Sequence, residues 1–97
     1  MYYSIEGKLT QKGDRFVVLN NAGIGYKIYV SESTLFSTPT IGAQYSLFTH
    51  FTVREDAHDL FGFETEDELG FFEMLLQISG IGPRGALFIL SVATIPI

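Results

Sequence analysis

Gly80-Ile81-Gly82-Pro83-Arg84-Gly85 is the string whose residue types and spacing point most directly to chemistry on a ligand. Glycine is a poor helix interior and proline fits the first helical position, so the string ends one helix and opens another. The amides of Gly80, Gly82 and the turn that follows then lie at a helix N-terminus, where unpaired donors and the helix dipole both favour a phosphate. A side chain at either glycine would hold a polynucleotide backbone away. Arg84, in the first turn, adds a charge for the same or the next phosphate, and Ile81 is expected to point inward and pin the turn to the helix pair. This is a helix-hairpin-helix pattern, which grips the sugar-phosphate backbone without reading bases. An ordinary helical hairpin with a glycine turn has the same local pattern. The string also satisfies G-x-G-x-x-G, but a dinucleotide site needs a strand before it and an acid about twenty residues on. Here a helix precedes it and twelve residues follow Gly85.

Arg54-Glu55-Asp56-Ala57-His58-Asp59 is the second candidate. Three acids in five residues between two apolar strands put negative charge at a loop tip, and a solvated hairpin turn would look the same. His50, Asp56 and His58 are ligand types that suit zinc or iron, yet His50 lies inside a strand and no fourth ligand is evident, so no metal or other cofactor is expected. Phe48 and His50 share a strand face and could stack bases, as in a single-strand-binding barrel, or meet a neighbouring subunit. The acids from Glu64 to Glu68 are explained by the dipole of the helix they begin. The sequence has no Walker loop, no nucleophilic triad spacing and no convincing carboxylate pair, so no catalytic residue is assigned.

The elements that carry these residues change period near Thr65. Before it, short strands alternate with turn chemistry: Tyr3 to Leu9, Phe16 to Leu19, Tyr26 to Val30, Tyr45 to Val53 and Leu60 to Phe63. A loop is expected around Ser37-Thr38-Pro39-Thr40. In the longest strand Tyr45, Leu47, Thr49, Phe51 and Val53 share one face. Five strands in about 60 residues imply a small closed or nearly closed barrel, which removes exposed edges. Thr65-Glu66-Asp67-Glu68 matches a capping box, and Leu69, Phe72, Leu75 and Leu76 recur at helical spacing. A second helix follows Pro83, apolar nearly all round, and the chain ends on the bare apolar run Thr94-Ile95-Pro96-Ile97, which reads as a truncation.

Composition bounds the setting. Ninety-seven residues are one small domain, or one plus part of another. The absence of cysteine excludes disulfides and thiolate chemistry and suits a reducing, cytoplasmic location, as does the lack of a signal peptide or long apolar run. The net charge of −5 argues at first against a polyanionic partner. Its distribution weakens that argument: residues 1–53 hold four Lys and Arg against three acids, whereas residues 54–97 hold two against eight.

Four strings then coincide with one family. Asn21-Ala22-Gly23-Ile24-Gly25-Tyr26, Phe48-Thr49-His50-Phe51-Thr52-Val53-Arg54-Glu55-Asp56-Ala57, Leu60-Phe61-Gly62-Phe63 and Ser79-Gly80-Ile81-Gly82-Pro83-Arg84-Gly85-Ala86-Leu87 follow one another in the order and spacing of bacterial RuvA. The sequence thus resembles the Holliday-junction-binding subunits of branch-migration complexes over essentially its whole length. The resemblance implies an α+β fold, with a five-stranded OB-fold β-barrel over residues 1–63 that builds the tetramer, followed by the first helix-hairpin-helix over residues 64–97. It implies an acidic pin at Glu55 and Asp56, and DNA-backbone contacts at Gly80, Gly82 and Arg84. It further implies a non-catalytic subunit, assembled as a homotetramer or octamer on Holliday junction DNA in recombination and repair. Its partners would be the RuvB motor, which hydrolyses ATP and docks on a C-terminal domain, and the RuvC resolvase. A departure is Gly85, a weak helix residue in the first turn of the second helix.

Overall fold

The computed structural model describes residues 2–92; the expected apolar end at 94–97 lies outside them. Five strands form a closed barrel in the order β1-β2-β3-β5-β4: β1 (Ser4–Lys12), β2 (Phe16–Asn21), β3 (Ile24–Tyr29), β4 (Gln44–Val53) and β5 (His58–Phe63). β1 pairs antiparallel with both β2 and β4, which a register shift between Leu9 and Gln11 accommodates by bending the strand. Closure comes from a short parallel pairing of β3 with β5, Ile28 opposite Leu60 and Tyr29 opposite Phe61.

The loop expected around Ser37-Thr38-Pro39-Thr40 is present from Thr38, and it is preceded by a short helix that the sequence pattern does not announce, α1 (Glu32–Ser37). Ser31 is its N-cap and accepts the Thr34 N–H at 3.2 Å. The helix occupies the crossover from β3 to β4, and the Glu32 N–H donates to Ser91 Oγ at 3.3 Å, tying this crossover to the last helix.

Two apolar cores lie back to back. Ile5, Leu9, Val17, Leu19, Ile28, Val30, Leu47 and Leu60 fill the barrel. It is so tightly filled that a Cβ on Gly62 would stand 2.6 Å from Ile28 Cγ2, so only glycine fits there. The alternate residues of β5, Phe61 and Phe63, point outward into a second core with Leu69, Phe72 and Leu75 of α2 (Glu66–Leu76) and Ala86, Leu87 and Leu90 of α3 (Pro83–Val92). The Phe72 ring centroid lies 4.8 Å from that of Phe63 and 5.5 Å from that of Phe61.

Thr65 caps α2 as the sequence implies, accepting the Glu68 N–H at 3.1 Å. The return arm of the capping box takes another form: the Thr65 hydroxyl itself donates to Glu68 Oε1 at 3.3 Å.

Candidate nucleic-acid interface

The turn between α2 and α3 is built from backbone bonds. Beyond Leu76 the chain keeps turning, with Gln77 N–H donating to Met74 O at 3.1 Å, Ile78 N–H to Leu75 O at 3.0 Å and Ile81 N–H to Ile78 O at 3.1 Å. Gly80 then adopts φ +90°, a conformation that side chains disfavour. Gly82 is glycine without such a demand: its φ is not left-handed, and a Cβ there would meet nothing within 4 Å. The first α3 bond runs from Ala86 N–H to Gly82 O at 2.9 Å. Glycine in that capping place offers no side-chain oxygen, so the N–H groups of Gly80, Gly82, Arg84 and Gly85 donate to nothing among the described residues. Ile81 is half-buried and packs on the second core, as expected. These exposed donors at the start of a ten-residue helix can hold an anion.

Arg84 reaches toward the barrel: its guanidinium carbon lies 5.0 Å from the Tyr29 ring centroid. It is exposed and stands between the turn and β3.

Glu55 and Asp56 sit at the tip of the β4–β5 hairpin. Val53 pairs with His58, and Arg54 N–H donates to Ala57 O at 2.8 Å, closing a four-residue loop. Both carboxylates are exposed and neither enters an ion pair among the described residues.

The remaining candidates are otherwise occupied. His50 Nδ1 lies 2.8 Å from Glu73 Oε2 and its ring meets Phe72 edge-on, while Phe48 packs on the second core and on Tyr3. Both face α2, so the strand face considered for stacking bases is covered by the protein's own helix. His58 packs instead against Phe51. Among the described residues no three His, Asp or Glu side chains converge on a possible metal position, so His50, Asp56 and His58 do not form one.

The acids on α2 and just before it do more than answer the helix dipole. The Tyr45 hydroxyl donates to Glu64 Oε2 at 2.7 Å, and the Tyr3 hydroxyl donates to Glu66. Burial, then the bond to Glu64 and its charge, hold the Tyr45 phenol well above its usual range. The bond to Glu66 is the chief cause of a raised Tyr3 phenol. With the His50–Glu73 contact, these bonds fasten α2 to the barrel along its length.

One group on this side was not singled out from sequence. Lys27 Nζ lies 4.5 Å from the Phe16 centroid and 5.3 Å from that of Tyr29, the same ring that Arg84 approaches. The signal available was a lysine two residues before an aromatic on one strand face.

Residues 1–62 match the family model described as the RuvA N terminal domain. The chain belongs to the RuvA N-terminal domain family. That match ends within β5, so the turn carrying Gly80 and Gly82 lies beyond it, but similarity to whole RuvA proteins continues further. A relative from Nitrosospira multiformis is 49% identical over 87 residues, covering 90% of this chain and 44% of its own. Another, from a Thermoanaerobacter strain, is 46% identical over 91 residues, covering 94% and 49%. A third, from Clostridium botulinum, is 43% identical over 95 residues, covering 98% and 48%. Each is named "Holliday junction branch migration complex subunit RuvA". The chain spans about half the length of these curated RuvA relatives. No helix among the described residues is long and apolar enough to cross a membrane.

Proposed function

We propose that this chain is the junction-binding portion of a RuvA-type subunit: a non-catalytic, cytoplasmic protein that holds four-way DNA as a homotetramer. In this reading residues 1–63 assemble the tetramer and carry the pin, and residues 64–97 contribute the first backbone-gripping hairpin. The observation that best supports the reading is Gly82. The chain's own packing and backbone do not require glycine there, whereas close approach of a sugar-phosphate backbone to the free amides would favour it. Gly80, Gly82 and Arg84 are the proposed contacts.

Glu55 and Asp56 act by repulsion. Four hairpin tips at the centre of a junction bring carboxylates toward phosphates, and unit charges about 4 Å apart repel by roughly 1–4 kcal/mol at the effective dielectrics of water and protein surface. That is enough to bias strand paths into the exit duplexes without holding any of them. ATP hydrolysis belongs to the RuvB motor, and the RuvC resolvase acts on the same assembly in recombination and repair.

The test is the solution mass of the full-length protein, with its affinity for a four-way junction and for linear duplex over a salt series. A tetramer that prefers the junction is expected; equal affinity for both substrates overturns junction recognition. Glu55→Gln with Asp56→Asn should bind the junction as tightly or more tightly while altering motor-driven migration. Unchanged migration would remove the pin from the mechanism.

A further inference from the structure

Three of the chain's six cations, Arg15, Lys27 and Arg84, stand on one side of the molecule, around the outer face of the β2–β3 ribbon. Phe16 and Tyr29 face each other across that ribbon. Lys27 lies over both rings, and Arg84 reaches Tyr29 from α3, so one tyrosine is shared by two cations. Their charged centres are separated by no more than the sum of those two ring distances.

The charges here are not spent on each other's neighbours. Arg15 pairs with Glu32 at 3.4 Å, but neither Lys27 nor Arg84 has a carboxylate partner among the described residues. Asp59, one register step from the β3–β5 pairing, makes no ion pair with Lys27. Aromatic contact restrains the two long side chains, which lessens the rotamer entropy lost when a ligand arrives. A guanidinium against a ring face can still direct its N–H donors outward to phosphate oxygens. Arg84 is also the second residue of α3, so the pair is continuous with the free amides of the glycine turn. A duplex backbone carries one charge per about 1.7 Å of axis, a ligand that can meet the turn and both cations in succession.

We propose that Lys27 and Arg84, bracketing Tyr29, form a second phosphodiester-contacting surface on the barrel, which takes the backbone of a DNA duplex arm as it leaves the glycine turn. The inference rests on the DNA-binding reading above and adds a barrel surface to it.

The test uses full-length protein, wild type against Lys27→Gln and Tyr29→Leu, with labelled linear duplex and four-way junction between about 50 and 200 mM salt. Lys27→Gln should weaken binding and reduce the slope of log affinity against log salt by about 0.9 for each phosphate that is no longer neutralised. Tyr29→Leu keeps both charges but frees them, so affinity should fall while the slope is retained. Matched thermal melts establish that the variants are folded. Wild-type affinity and slope in Lys27→Gln overturn the proposal while leaving junction binding intact. Failure of the wild type to bind DNA overturns both readings. Two other results also overturn it: a change in solution mass with the slope unaltered, which assigns the patch to contact between subunits, and loss of poly-glutamate binding alone, which assigns it to an acidic protein.

Discussion

Gly80 and Gly82 occupy one turn, but the backbone calls for glycine only at the first. Gly80 is held at φ +90°, so Gly80→Ala places a Cβ in a strained conformation costing about 1–3 kcal/mol. Gly82 has neither that angle nor a crowded surrounding. Gly82→Ser should hold stability or raise it by a few tenths of a kcal/mol, because a serine hydroxyl there can cap the free amides of α3. The same hydroxyl occupies donors that a phosphate would use, so DNA affinity should fall as stability rises. Urea melts beside anisotropy titrations of the full-length protein separate the two effects. Wild-type affinity in Gly82→Ser would leave the turn as a structural hairpin. The string itself was readable because capping, turn and helix start are decided by neighbours a few residues apart. The direction of Arg84 was not, since the ring it meets lies 55 positions earlier, on β3.

At the scale of elements, the start of α2 and the residue that leads into it are fastened to the barrel by tyrosine–carboxylate bonds, Tyr3 to Glu66 and Tyr45 to Glu64, whose strength depends on pH. The Tyr45 proton is held more tightly in the folded state than in the unfolded chain, where the phenol titrates at about 10. Its contribution is therefore complete below about pH 10 and is lost as pH rises above that toward the higher folded value. Tyr45→Phe should cost about 1 kcal/mol at neutral pH, through loss of the bond to Glu64. It should also make the alkaline loss of stability shallower, as read by urea melts on either side of about pH 10. Equal alkaline losses in wild type and variant would remove Tyr45 as a clamp. Five strands, the capped helix and the second helix were all legible in the periods of the sequence. α1 was not, because six residues with one serine cap resemble a polar loop, and its place depends on the β3-to-β4 crossover. Alternation likewise showed that Phe48 and His50 share a face. It could not show that the face is covered, which follows only when Glu73 and Phe72 are brought across from α2.

The whole molecule is two layers around two cores, and the second core sets how the chain can be divided. A boundary after Phe63 follows the change of sequence period, and the family match ends close by, at residue 62. Packing argues against independence there. Phe61 and Phe63 are 2% and 1% exposed only because α2 and α3 cover them, and Phe48 and Tyr29 pack into the same layer. Burial of each large apolar side chain is worth roughly 1.5–3 kcal/mol, so uncovering two phenylalanines withdraws several kcal/mol, a large part of a small domain's net stability. A chain ending at Phe63 also loses the bonds from Tyr3 and His50 to α2 and leaves a contiguous aromatic face in water. Residues 1–63 alone should therefore melt well below residues 1–97, or self-associate, as read by thermal denaturation with sedimentation at several concentrations. An equal melting temperature in a monomeric 1–63 would make the barrel self-sufficient and reduce the helices to an appended DNA grip. The opposite outcome ties the turn's orientation to the barrel, so that the β4–β5 hairpin tip, the Lys27–Arg84 pair and the glycine amides move as one body.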